Sequence, residues 1–270
     1  MLAAAQNLTP VTLELGGKSP CIIGEDAALQ AAAESVAAGK LLNAGQTCIA
    51  PDYVFVPEVK REEFVRLLKE AVQKLYPSLQ ANRDYTSIVN ARHYERLARY
   101  VDEARQRGVR FIEINPSNEA LQPQDRKMAP TLLIDPPEDL AVMQDEIFGP
   151  VLPIKSYRTL EEAIAYINSH PRPLALYYFG RDKTARERVL SQTTSGGVSV
   201  NETLMHVVVE NLPFGGVGPS GTGAYHGEYG FQTFSHRKGV FLQSRFNSAA
   251  LVRPPFGKTA NAMLKFLLSR

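Results

Sequence analysis

The sequence has no tryptophan and only two cysteines, Cys21 and Cys48, in 270 residues. Two thiols are too few for a disulfide framework, so a packed core must hold the fold, as in a reducing compartment, and the cytoplasm is the expected location. No run of about 18 apolar residues occurs, so no membrane span is expected. The opening MLAAAQNLTPVTLELGGK lacks a basic n-region and carries Glu14 early, which argues against a signal peptide. Charge of one sign is missing too. The 30 Lys and Arg face 28 Asp and Glu, a net charge of +2. No basic stripe is interleaved with aromatics, so nucleic acid is not an expected ligand. His93, His170, His206, His226 and His236 show no metal-ligand spacing, and no metal site is expected. Internal repeats and low-complexity linkers are absent.

What is present is an alternation of strand and helix signals. The hydrophobic share of 44% is enough for a sizeable core. A short strand over 11–15 ends in Gly16-Gly17. Asp26 is the expected N-cap of an Ala- and Leu-rich helix over 27–43, which Gly45 breaks. A strand at 53–56 precedes a helix over 61–75 with an apolar face at Phe64, Leu67, Leu68, Ala71 and Leu75. A helix over 91–107 ends at Gly108. Strands follow at 109–114, 131–134, 151–157, 174–179 and 197–200, with helices over 161–168 and 183–192 between the later ones. This rhythm predicts an α/β fold, a largely parallel sheet flanked by helices. Beyond Asn201 the pattern changes to a glycine-rich stretch over 213–230, a short strand at 239–243 and an apolar-basic helix over 258–270. The first residues look like a helix tail with no capping residue, as in the middle of a fold.

Cys48 lies in Asn43-Ala-Gly-Gln-Thr-Cys, past a helix end and before a strand, in polar, turn-forming company. An accessible loop suits a reactive thiol, although an arbitrary free cysteine is more often a packed one. Cys21, in the apolar run Pro20-Cys-Ile-Ile, reads as such a core thiol. Glu14 shares a strand face with Thr12 and stands just before a double glycine that permits close backbone approach. It is a candidate general base, against the plainer reading of a solvated strand carboxylate. In Glu146-Ile-Phe-Gly-Pro150, a carboxylate and an aromatic before a Gly-Pro turn are suited to clamp a ribose and a ring, though from these residues alone an acidic turn over a core phenylalanine is the stronger reading. Gly216-Val-Gly-Pro-Ser-Gly221 matches the dinucleotide fingerprint in letters only. Pro219 sits inside it, no helix signal follows, and no acidic residue lies about 20 positions on, so it reads as a structured loop.

Taken together and in order, Leu13-Glu-Leu-Gly-Gly-Lys-Ser-Pro20, Asn43 to Cys48, Glu146 to Pro150, Ser195-Gly-Gly-Val-Ser-Val-Asn201 and Pro213-Phe-Gly-Gly-Val-Gly218 resemble motifs of the aldehyde dehydrogenase superfamily. Gly223-Ala-Tyr-His-Gly227 and the residues after Cys48 are similar to its coniferyl and fatty aldehyde branch. The resemblance implies oxidation of a small-molecule aldehyde to a carboxylic acid with NAD or NADP. Cys48 would form the thiohemiacetal and thioester, and Glu14 would activate the hydrolytic water. Leu15 (through its carbonyl), Glu146 and Phe148 would contact the nicotinamide half of the cofactor. It further implies a homodimer and a division of the chain into 1–16, a remnant of the dinucleotide-binding domain; 17–203, the catalytic α/β domain; and 204–270, a return segment, oligomerisation strand and tail. Family members resemble a chain of nearly twice this length, so most of the dinucleotide-binding domain is expected to be absent and turnover to be impaired. Two other functions remain open at this point, a cofactor-independent thiol esterase and an inert assembly partner. The helix over 258–270 is expected to dock on protein rather than on a membrane surface.

Overall fold

The computed structural model describes residues 1–247 and 253–269. The chain opens with α1 (Leu2–Ala5), which has no side-chain cap, and β1 (Leu13–Glu14). Then come β2 (Pro20–Ile23), α2 (Leu29–Leu41), β3 (Tyr53–Pro57), α3 (Arg61–Leu75), α4 (Ala91–Gln106), β4 (Arg110–Glu113) and β5 (Thr131–Ile134). They are followed by α5 (Ala141–Gln144), β6 (Val151–Tyr157), α6 (Leu160–Ser169), β7 (Ala175–Phe179), α7 (Lys183–Gln192) and β8 (Gly197–Val200). Last are α8 (Met205–Val208), β9 (Gly221–Thr222), α9 (Gly227–Thr233) and α10 (Lys258–Leu268).

Seven strands form one sheet in the order β4-β5-β6-β3-β2-β7-β8, with every pair parallel except β4 against β5. The central strands read as unbroken apolar runs because helices cover both faces. Cys21 and Ile23 point to the α2–α3 side with Val54, Val56 and Phe64. Ile22 points the other way, with Tyr53, Phe55 and the α6–α7 residues Ile167 and Val189. A third cluster joins Leu97 and Tyr100 of α4 to Leu133, Ile147 and Val151. The edge strand β4 is only partly buried.

Side-chain caps set the starts of α4, α6 and α7. Asn90 accepts from the His93 amide at 3.0 Å at the head of α4. Asp182 accepts from Thr184 at 2.8 Å at the head of α7. Thr159 caps α6, and the Glu162 carboxylate reaches back to the Arg158 amide at 2.9 Å. The helix α3 buries the expected face at Phe64, Leu67, Leu68 and Ala71, while Leu75 stays 44% exposed at its end.

Three expectations are corrected. Asp26 does not cap α2, whose N-cap is Ala28; its carboxylate instead accepts from the Arg181 amide at 2.9 Å, tying two loops together. The strand expected at 11–15 is only two residues long and leaves the main sheet to pair antiparallel with β9, Leu13 opposite Thr222 and Glu14 opposite Gly221. Residues 239–243 pair with no strand among the described residues. The final helix ends at Leu268, and Arg270 lies outside the described residues. The described chain divides into two compact units, 1–234 and 235–270.

Candidate active site

A deliberate break in helix geometry positions Cys48. After α2 the chain makes one 3-10 turn, Leu42–Gly45, in which Asn43 and Ala44 both take φ 53° and Gly45 takes φ 79°. Left-handed backbone at three successive residues is costly and needs external fixing. Gln46 supplies it. Its side chain donates to the Asn43 carbonyl at 3.0 Å and to the Ser87 carbonyl at 3.1 Å, and accepts from the Val89 amide at 2.9 Å. Only glycine fits at position 45, where a Cβ would lie 2.3 Å from the Gly149 carbonyl oxygen. The nucleophile loop therefore rests directly on the Glu146–Pro150 segment.

Glu14 arrives from the β1–β9 ribbon, and its carboxylate stands close enough to the Cys48 thiol to act on its proton. The two residues thus meet, one from the ribbon and one from the end of the long helix α2. Burial, followed by the adjoining Glu14 charge and hydrogen bond, pushes the half-buried thiol up to about 12. The resting sulfur is therefore an uncharged thiol beside a carboxylate. The Cys48 backbone N–H lies against its own sulfur and acts in the opposite direction. Cys21 is fully buried, and burial alone pushes its thiol far above the ordinary range.

Glu146 sits over the double glycine. Its carboxylate lies beside the Gly17 amide and where a Cβ on Gly16 would be 2.8 Å away. Burial raises its carboxyl to about 7, against the lowering effect of that amide. Leu15, 59% exposed, and Glu146 line a cleft of about 250 Å³ with Gly17, Lys18 and Arg172; neither Cys48 nor Glu14 borders it. Larger hollows of about 310, 410 and 630 Å³ touch none of the five candidate residues. Phe148 adopts φ 50° and is 37% exposed. It is held in that conformation from both sides. Arg96 of α4 donates to the Ile147 carbonyl at 2.7 Å, and Gly149 packs beneath Leu97.

Asp52, which the sequence did not mark, joins the segments. One carboxylate oxygen accepts from the Ile147 amide at 2.9 Å, the other pairs with Lys18, and its amide donates to Ser19 at 2.8 Å. Lys18 also donates to the carbonyls of Val142 at 2.8 Å and Asp145 at 2.7 Å. Its position four residues after Cys48 was the one available signal. Lys40 was also missed. It is 2% exposed, its Nζ has no hydrogen-bond partner, and burial lowers it to about 8 despite the nearby Asp52 and Glu146 charges. Tyr225 donates to Glu14 at 3.0 Å. Gly216 and Gly221 belong to the tight turn into β9, with Gly218 bridging Gly221, and no helix begins there. Among the described residues no group of His, Cys, Asp or Glu could hold a metal ion.

Residues 1–240 match the aldehyde dehydrogenase family. A probable coniferyl aldehyde dehydrogenase of Caulobacter vibrioides is 56% identical over 261 residues, which cover 96% of this chain and 54% of the relative. The substrate-bound structure of Staphylococcus aureus AldH superimposes with a TM-score of 0.89 at 41% identity, over 98% of this chain and 57% of that one. An indole-3-acetaldehyde dehydrogenase of P. syringae in complex with NAD+ gives 0.75 at 27% identity, over 87% of this chain and 48% of that one. The chain spans about half the length of the relatives it matches.

Proposed function

Because the chain belongs to the aldehyde dehydrogenase family, we propose that it oxidises an aldehyde to a carboxylic acid, with Cys48 as nucleophile and Glu14 as base. One observation carries the reading, the meeting of Cys48 at the end of α2 with the Glu14 carboxylate from the ribbon, near enough for that carboxylate to raise the thiol. A nucleophile held against its base needs no separate activation step. As the sulfur attacks the carbonyl carbon, its proton passes to Glu14 and the carbonyl oxygen becomes an oxyanion. The Cys48 backbone N–H, already beside the sulfur, is placed to donate to that oxygen. Glu14, which is exposed, releases that proton to solvent, and in the second half a water loses a proton to the regenerated carboxylate while its oxygen adds to the acyl carbon. The carbon–sulfur bond then breaks and the acid leaves.

The family implies NAD or NADP, and the residues present fit its nicotinamide end. The glycines at 16 and 17 leave open backbone, Glu146 offers a carboxylate beside them, and Phe148 presents an accessible ring. Leu15 through its carbonyl, Glu146 and Phe148 would hold that end. When bound, the cofactor supplies the acceptor for the hydride. The relative named for coniferyl aldehyde supports an aromatic, conjugated aldehyde as the substrate class. Iodoacetamide is expected to modify Cys48 at least tenfold faster than Cys21, and Cys48→Ala to abolish all aldehyde-dependent NADH formation. Equal, slow labelling of both thiols would instead mark the chain as inert.

A further inference from the structure

Tyr225 lies outside the motifs that carry Glu14 and Cys48, yet its hydroxyl donates to Glu14 Oε2 at 3.0 Å. The fold brings it there by a definite route. The β1–β9 ribbon sets Glu14 opposite Gly221, and the chain then turns back through Gly223, whose φ of 85° lets it pass Thr12 closely. The Tyr225 amide donates to the Phe214 carbonyl at 3.0 Å. Its ring stands edge-on to Phe214, with centroids 5.6 Å apart and planes at 86°. Both ends of the side chain are thus fixed, the backbone by Phe214 and the hydroxyl by Glu14. Burial, followed by the neighbouring Glu14 carboxylate, pushes the phenol up to about 12, so it donates throughout the working range.

Building on the proposed roles of Cys48 and Glu14, we infer that Tyr225 is the positioning residue for the base: its hydroxyl pins one oxygen of Glu14 so that the carboxylate faces the sulfur and, later, the hydrolytic water. Tyr225 keeps its proton in every step. The proton from the thiol or the water goes to Glu14, and Tyr225 limits the directions from which Glu14 can take it. A carboxylate on a two-residue ribbon, exposed to solvent, otherwise has several rotamers, and orientation is worth large factors in rate.

The test is pre-steady-state hydrolysis of p-nitrophenyl acetate by the full chain, with intact-mass detection of acetyl-Cys48. Tyr225→Phe keeps the ring contacts and removes only the donor. Acylation of Cys48 is expected to slow by a few-fold and deacylation by more, roughly tenfold, so that the burst of acetyl-Cys48 grows and outlasts that of the wild type. In a Glu14→Gln background the same substitution is expected to slow deacylation no further, which a merely structural role would not produce. Deacylation at the wild-type rate in Tyr225→Phe, or an additive loss in the double variant, overturns the inference alone. Absence of acetyl-Cys48 from the wild-type chain overturns the proposed function and this inference with it.

Discussion

Burial at single side chains sets charge states that the sequence does not display. Lys40 is the clearest case, an ammonium enclosed beneath α2 without a hydrogen-bond partner. The unfolded chain holds that proton up to the ordinary value of 10.5, the folded chain only to about 8. Folding stability is therefore lowest below pH 8 on this account and rises with pH between those values. Lys40→Met is expected to raise stability at pH 7 by roughly 1–3 kcal/mol and to flatten that rise, as read by urea melts from pH 7 to 10.5. Such stabilisation would show that position 40 is kept for something other than folding, and the nearby Glu146 and Asp52 charges are the groups it would serve. Cys48 shows the same rule with the opposite sign of charge, since burial and the Glu14 carboxylate both favour its uncharged form. The half-buried loop position of Cys48 was legible from its polar, turn-forming neighbours. How Glu14 comes beside it was not, because Glu14 lies 34 positions away and meets it only through the ribbon.

Elements divide in the same way between what local pattern specifies and what tertiary pairing adds. The seven-stranded sheet and its main helices follow from apolar runs and helical spacing, and α3 buries the face its sequence displays. The ribbon did not follow, because a two-residue strand has no periodicity to read and its partner is more than 200 residues on. Asp26 misled for a related reason. A residue suited to a cap went instead to a loop amide that only the fold brings near. The turn between α2 and Cys48 is where element and site are most tightly coupled. Gly45→Ala would place a Cβ against the Gly149 carbonyl in a backbone region that alanine disfavours. A loss of about 2–4 kcal/mol in stability is expected by chemical denaturation, with slower labelling of Cys48 in the folded protein. Native-like stability and labelling would mean that the turn does not fix the nucleophile.

Across the whole molecule, charge is segregated although the total is near neutral. Residues 235–270 carry seven Lys and Arg and no Asp or Glu, which leaves 23 basic against 28 acidic residues in 1–234. The total of +2 conceals this division. At the same scale, three of the five segments whose order suggested the family are joined through Asp52 and Gly45, which fix the Lys18, Cys48 and Glu146 regions relative to one another. Motif order was visible in the sequence; the carboxylate that binds the motifs together was visible only in space. The central claim is that Cys48 and Glu14 act on one acyl group. Its most direct test is the lifetime of acetyl-Cys48 after mixing with p-nitrophenyl acetate, followed by intact mass in the wild-type chain and in Glu14→Gln. A short-lived adduct in the wild type and one at least a hundredfold longer-lived in Glu14→Gln is the predicted result. Equal lifetimes in the two chains, or acetylation that spares Cys48, would contradict it.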